Sequence, residues 1–383
     1  MRLTDFSLQK LAQSKYQGEI YFFTAEEAGE MLSRTYPYAK SLLLLSVDTA
    51  DKFPLFQQLF PNSSVIVLLP GDGVESLFSL PDDVSFVTCF GEDYVIHAAR
   101  YFAHVRGVPC AVFAYNAVSQ ALCTSQVRVC IGGEKTEYFA KFSEFVFVDD
   151  QLLHKDSFLQ AYVNTLSLRL ALFELKFNAL ILQAKYDEGH YQTVAGAISA
   201  CAETPFSLLD RRLLFCAALV ISLCAAEGFP FGELKVLSET YLKLGAGPLS
   251  AFYAMQKLSK AYQVFFKHGK YRKYYTPPYH ARIRQASGLY KKREEEISAT
   301  QSIPEVESLA LYSQVFESVR AQFLFDAQEL VRRAQWLEDN IEAYKPRFPV
   351  ENKVLNAALK YLPEGNKSYG ITSLMRDFGL FDF

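Results

Sequence analysis

An α/β layer followed by an all-helical domain is the fold class this sequence predicts, and three observations predict it. Short, continuous apolar runs recur through the first 150 residues. Helical patterns lie between some of them, and beyond about Asp156 strand signals give way to long helical periodicities. Runs of Leu, Val, Ile and Phe without polar alternation suit strands covered on both faces, as in a parallel sheet. Strand alternating with helix then implies right-handed crossovers in an open layer.

The predicted strands are Ser41–Val47, Ser64–Leu69, Val84–Phe90, Cys110–Tyr115, Val127–Ile131 and Glu144–Val148. Ala25–Arg34 and Tyr94–Val105 carry apolar residues at helical spacing and read as helices between them. Phe158–Ala184 is a long, nearly unbroken helical pattern. Tyr191–Ala202, Leu208–Glu227, Phe231–Leu244, Leu249–Lys267, Glu305–Phe323 and Ala327–Ala343 continue the series. Lys270–Glu296 is polar and tyrosine-rich and contains Pro277-Pro278, so it reads as a loop followed by a solvated helix. The boundary near Val148–Ser157 divides the chain into residues 1–155, of nucleotide-binding type, and residues 156–383, helical.

At 383 residues the chain is long enough for two ordinary domains. Half the residues are hydrophobic and 21% are charged, with 32 Phe and 23 Tyr against one Trp, which favours bulky cores. A net charge of -3 supplies no field suited to nucleic acid or an anionic membrane. The basic, aromatic stretch Lys270–Arg293 abuts the Glu294–Glu296 run, the pattern of a salt-laced solvated helix rather than an RNA site. Leu213–Ala226 is too short to span a bilayer. The N-terminus lacks the pattern of a signal peptide. Seven cysteines without CxxC spacing read as small buried hydrophobes in a reducing compartment. The expectation is a cytoplasmic protein without nucleic-acid or membrane partners.

Several segments bear on chemistry. Phe90-Gly91-Glu92-Asp93-Tyr94 ends a strand and opens a helix, with one glycine and two carboxylates at the turn. Acidic groups there suit a helix N-terminus and read as capping; facing a diphosphate, they would repel it. Val112–Leu122 is a strand leading into a polar turn that holds Asn116 and Ser119. Val148-Asp149-Asp150 precedes Ala161-Tyr162-Val163-Asn164-Thr165. Gly247–Met255 runs on to Phe266-Lys267-His268-Gly269, and residues 244 to 267 contain no His, Asp or Glu. Lys367–Leu380 forms a terminal packing element. GxSxG, HExxH and Walker-type loops are absent from the sequence.

In order and spacing these segments resemble the dehydroquinate synthase-like superfamily, which includes iron-type alcohol dehydrogenases. The resemblance is nearest the glycerol-1-phosphate dehydrogenase branch and covers roughly Ser41 to Phe383. It implies that Gly91, Glu92, Asp93, Asn116 and Ser119 stand where that family binds NAD(P), whose diphosphate sits on a triple-glycine turn. It implies that Asn164, Ala254 and His268 stand at the metal-ligand positions, where the family carries a carboxylate and two histidines. Here an amide, a methyl group and one imidazole replace them, and a catalytic metal generally needs three protein ligands. A divalent metal is therefore not expected.

The resulting expectation is a diverged, non-catalytic member that binds a small molecule in an interdomain cleft or docks a partner, as a homo-oligomer or beside an active relative. The alternative is an NAD(P)-dependent oxidoreductase reducing a small phosphorylated ketone such as dihydroxyacetone phosphate. In that case Tyr253, His268 or His97 would polarise or protonate the carbonyl. A third reading is a sugar-phosphate-modifying activity in the same cleft.

Overall fold

The computed structural model describes residues 5–80, 83–273, 275–300, 304–345 and 350–381. The chain divides into two compact units, Met1–Ala161 with Leu209–Glu227 and Tyr162–Leu208 with Gly228–Phe383.

Eight strands, all in the first unit, are β1 (Glu19–Tyr21), β2 (Lys40–Ser46), β3 (Ser64–Leu68), β4 (Val84–Gly91), β5 (Cys110–Ala114), β6 (Gln126–Ile131), β7 (Glu134–Phe139) and β8 (Phe145–Phe147). Its helices are α1 (Asp5–Lys15), α2 (Ala25–Thr35), α3 (Phe53–Leu59) and α4 (Asp93–Arg106). The division between the units falls within α5 (Lys155–Ile181). α6 (Glu188–Cys201) belongs to the second unit and α7 (Arg211–Ala226) to the first. A single cut at residue 155 would have grouped α7 with the other helices. The second unit continues with α8 (Gly232–Tyr241), α9 (Ser250–His268), α10 (Tyr279–Tyr290), α11 (Glu294–Thr300), α12 (Val306–Ile341), α13 (Asn352–Lys360), α14 (Leu362–Gly365) and α15 (Ile371–Asp377). A parallel α/β layer followed by a helical region is thus the architecture.

Six strands form one sheet in the order β1-β8-β5-β4-β2-β3, and every pairing is parallel. Leu42 to Leu45 in β2 are each fully buried, which is why this strand has no polar alternation. Leu43 and Leu45 join Phe86, Phe90, Phe113 and Phe147 on the face that packs against α2 and α3 through Leu32, Phe56 and Phe60. The opposite face is covered by α4 through Val95, Ile96, Ala99 and Phe102. Local signals set the helix ends. Thr24 and Glu27 form a reciprocal capping box on α2, and Gly107 closes α4 in the left-handed conformation.

Three expectations change. The Val127–Ile131 strand lies outside the parallel layer, because β6 pairs antiparallel with β7 in a separate hairpin. The patterns at 305–323 and 327–343 form one helix, α12, since neither Gly nor Pro interrupts the chain between them. In place of a wholly solvated helix after Pro277-Pro278, α10 buries Arg282, Ile283, Ala286 and Tyr290. Among the described residues no helix is long and apolar enough to cross a membrane. None of the seven cysteines forms a disulfide among the described residues, and six are buried.

The ring of Phe113 meets Phe56 at 5.0 Å, Phe147 at 5.2 Å and Phe60 at 6.3 Å between centroids. Replacing it leaves a cavity walled by rigid rings. Phe113→Ala is expected to cost about 3–5 kcal/mol in chemical denaturation, and Phe113→Leu much less.

Candidate functional site

In an open parallel sheet a ligand crevice forms at the carboxyl ends of the strands, where the chain reverses its direction of winding. Here that point lies between β2, which leads outward to β3, and β4, which leads to β5 on the other side. Ser46 and Gly91 end these two strands.

Gly91 has φ +154°, and a Cβ on it would stand 2.7 Å from Ser46 Cβ and Oγ. Thr49 Oγ1 locks the same junction, accepting from the Ser46 amide at 3.1 Å and donating to the Phe90 carbonyl at 2.9 Å. The glycine therefore serves the close approach of two strand ends, not the approach of a phosphate. The two carboxylates that follow it turn toward the β5 loop. Asn116 Nδ2 donates to Glu92 Oε2 at 2.8 Å, and Ser119 Oγ donates to Asp93 Oδ1 at 2.7 Å. Backbone amides of Ala121 and Gln120 also donate to Asp93. The five residues are thus neighbours: Glu92, Asp93, Asn116 and Ser119 are paired by hydrogen bonds, and Gly91 packs on Ser46. Capping of α4 by Glu92 is corrected: its backbone occupies the cap position while its side chain makes no cap bond.

Burial pushes the Glu92 carboxyl up; Asp93 and Asp48 add to this, and the Asn116 and His154 contributions oppose it. Burial also raises Asp93, against the hydrogen bonds from Ser119 and the two amides. A diphosphate would add negative charge beside two carboxyls that already resist ionising, so this turn does not fit one. Tyr94 donates to the Leu68 carbonyl at 3.1 Å, and the rings of Tyr115 and His154 lie 5.4 Å apart. Sequence reasoning missed Asp48, Tyr115 and His154 as neighbours of Glu92, because three separate strand ends bring them there. His97 lies on the second turn of α4, its pKa lowered to about 4 by burial and by Arg100 and Arg128. The lowered pKa favours the neutral imidazole at physiological pH, which keeps one N–H donor.

The metal-ligand positions fall in the second unit, and the structure separates them. Ala254 is buried near the start of α9, whereas His268 is the last residue of that helix and is exposed. Fourteen residues of helix, from 254 to 268, span about 21 Å, some tenfold more than a metal–ligand bond. Tyr253 and His268 are kept apart by the same helix, so they cannot act on one carbonyl. Burial raises the Tyr253 hydroxyl, Lys345 opposes this, and Glu338 and Glu342 add to it. Asn164 is half-buried in α5. Among the described residues no group of three or more His, Cys, Asp and Glu is placed to hold a metal ion. An amide, a methyl group and a distant imidazole do not fit a divalent ion.

The second unit instead contains a buried acidic network. Glu174 on α5 accepts from the amide of Glu233 at 2.8 Å and from that of Leu234, so it caps α8 from outside. Glu233 in turn accepts from the Thr372 amide at 2.9 Å and the Thr372 hydroxyl at 2.8 Å, at the start of α15. Tyr262 on α9 lies between them, its hydroxyl 2.8 Å from Glu174 Oε1 and 2.5 Å from Glu233 Oε2. Gly232, at φ +57°, has to be glycine, because a Cβ there would collide with Glu174 Oε2. All three side chains are at most 2% exposed. The phenol has one proton for the two facing oxygens. Burial and the neighbouring Glu233 push the Glu174 carboxyl well above the usual carboxylate range, and burial raises Glu233 as well. Its only sequence signal was a carboxylate inside the apolar run Leu170-Ala171-Leu172-Phe173-Glu174.

A second cluster is charge-balanced. Arg282 Nε reaches Glu364 at 2.8 Å, and Arg376 reaches Glu364 at 3.3 Å and Asp377 at 2.7 Å. Tyr279 and Tyr369 donate to Asp377 at 3.0 and 2.8 Å. These residues pin the C-terminal segment 367–380, the terminal packing element that the sequence predicts.

A scan against protein-family models found no match, and a search of curated proteins found none. Among solved structures, the chain is similar to glycerol dehydrogenase from Schizosaccharomyces pombe, at 13% identity and TM-score 0.41, over 88% of this chain and 96% of that one. It is similar to sulfoacetaldehyde reductase from Bifidobacterium kashiwanohense in complex with NAD+, at 11% identity and TM-score 0.44, over 91% and 97%. An alcohol dehydrogenase from Oenococcus oeni aligns at 8% identity and TM-score 0.49, over 96% and 98%.

The raised Glu174 carboxyl makes the second unit sensitive to alkali. Its folded pKa is raised, so the stabilisation is complete below the ordinary value of 4.5 and is lost as pH rises through the raised value. Urea unfolding followed by Trp336, the sole tryptophan and part of α12, should show stability falling as pH rises above the ordinary carboxyl value of 4.5. Glu174→Gln, an isostere of the protonated acid, should flatten that slope. A slope unchanged in the variant would place the proton elsewhere.

Proposed function

We propose that this chain is a diverged dehydroquinate synthase-like protein, nearest the glycerol-1-phosphate dehydrogenase branch, that binds a small molecule without metal-dependent catalysis. The observation that carries this reading is the state of the β4–α4 turn. Glu92 and Asp93 are already bonded to Asn116 and Ser119, and Gly91 is packed on Ser46. The switch point keeps its shape while the groups that would receive a diphosphate are used internally.

The chemistry left at this edge is that of recognition. Asp48, Glu92, Tyr94, Tyr115 and His154 supply acceptors, donors and three rings, which suit an uncharged polyol or a cationic ligand better than a phosphate ester. The separation of Ala254 from His268 supports the same reading, since a ketone gains no Lewis acid from these positions. An NAD(P)-dependent reductase of a small phosphorylated ketone is the competing reading, and one experiment decides between them.

Elemental analysis and titration with NADH and NADPH should be run on one purified sample. The expected result is no stoichiometric divalent metal and no saturable quenching or transfer of dinucleotide fluorescence. One equivalent of zinc or iron, or dinucleotide binding lost in Ser119→Ala, would overturn the proposal in favour of the reductase.

A further inference from the structure

A cavity opens in the first unit at the opposite, amino edge of the sheet, where β5 begins. It has a volume of about 390 Å³, and its wall includes Tyr36, Arg100, His104, Lys141, Phe142 and Glu144. That volume is within the range of small-molecule sites, roughly 300–1,000 Å³.

The side chain that sets its chemistry is Arg100, 1% exposed on α4. Its guanidinium donates to three main-chain carbonyls, those of Lys141 at 3.0 Å, Ala140 at 3.1 Å and Ala121. Carbonyl dipoles satisfy hydrogen bonds but do not cancel a charge, and among the described residues no carboxylate pairs with Arg100. Buried charges are ordinarily paired. A guanidinium has five N–H donors, so these three bonds leave one N–H on each terminal nitrogen. The Phe142 ring, 5.3 Å from the guanidinium carbon, adds only a cation–π contact.

The remaining wall is consistent with an anion. Lys141 is an exposed second cation. Glu144 is the one carboxylate, and its Oε2 is taken by the Cys110 amide at 2.7 Å. At the end of α4, which faces this edge, the Ala103 and His104 carbonyls accept from the Gly107 and Val108 amides. His104 Nδ1 is buried with no hydrogen-bond partner among the described residues.

We propose that this cavity binds a small organic anion, whose charged group neutralises Arg100 and Lys141 and whose planar apolar body lies against Tyr36 and Phe142. The shared chemistry is a single anionic group on an aromatic-sized body. Carboxylates and phosphate monoesters both carry one, and the test separates them.

The full chain should be titrated calorimetrically with benzoate, with phenyl phosphate and with benzamide, the neutral isostere of benzoate. Saturable binding is expected for at least one anion and not for benzamide, and the better anion identifies the class. Arg100 also ties three loop carbonyls, so its replacement risks the fold. Two wall variants keep the proposal testable. Lys141→Ala should weaken anion binding about tenfold while Lys141→Arg retains it. Val108→Phe should fill the cavity and abolish binding with unchanged circular dichroism. Absence of binding by both anions, benzamide binding equally well, or undiminished binding in Val108→Phe would each overturn the proposal.

Discussion

A carboxylate taken out of water has to be given donors, and in this chain those donors repeatedly come from the backbone of a different element. Glu174 on α5 takes the first amides of α8. Glu233 on α8 takes an amide of α15. Asp149, after β8, takes the Ala25 amide at the start of α2 at 2.7 Å and the Gln151 amide at 2.8 Å. Asp93, at the start of α4, takes amides from the loop after β5. Helix starts carry unsatisfied N–H groups and partial positive charge, so a carboxylate there meets both needs at once. Each such bond fixes how two elements meet, which apolar packing alone specifies loosely.

The same economy explains the candidate site. A dinucleotide turn needs free amides and space for phosphate oxygens. At the β4–α4 junction the space is filled by Ser46, and the polar capacity is exchanged between Glu92, Asp93, Asn116 and Ser119. The fold thus retains a switch-point geometry whose local chemistry has been turned inward. In the helical unit, Glu174 and Glu233 both face the single phenol proton of Tyr262, and burial raises both carboxyls.

Much of the layer was legible because its causes are local. Leu42–Leu45 declares a strand buried on both faces, and the boundaries of β3, β4 and β5 fall within a residue or so of the apolar runs. The grouping of Gly91, Glu92, Asp93, Asn116 and Ser119 was legible too, since a parallel sheet places successive strand ends side by side. Less was legible where the cause is distant. The first and last residues of the Ser250–His268 helix look close when read as motifs, but helical rise sets them more than 20 Å apart. Nothing near Arg282 announces Glu364, and nothing near Glu174 announces Tyr262.

The sequence by itself determined the runs that became β2 to β6 and β8, the burial of the sheet and the side-chain chemistry at Asn164 and Ala254, an amide and a methyl group. These follow from periodicity and from which atoms a side chain possesses. Tertiary structure alone decided that β6 leaves the sheet, that α7 joins the first unit, and that Glu92 bonds to Asn116 rather than capping its own helix. It also decided that Arg100 stands beside a cavity without a counter-charge. Such outcomes depend on which donors and charges meet across long sequence separations, and burial then sets the strength of each encounter.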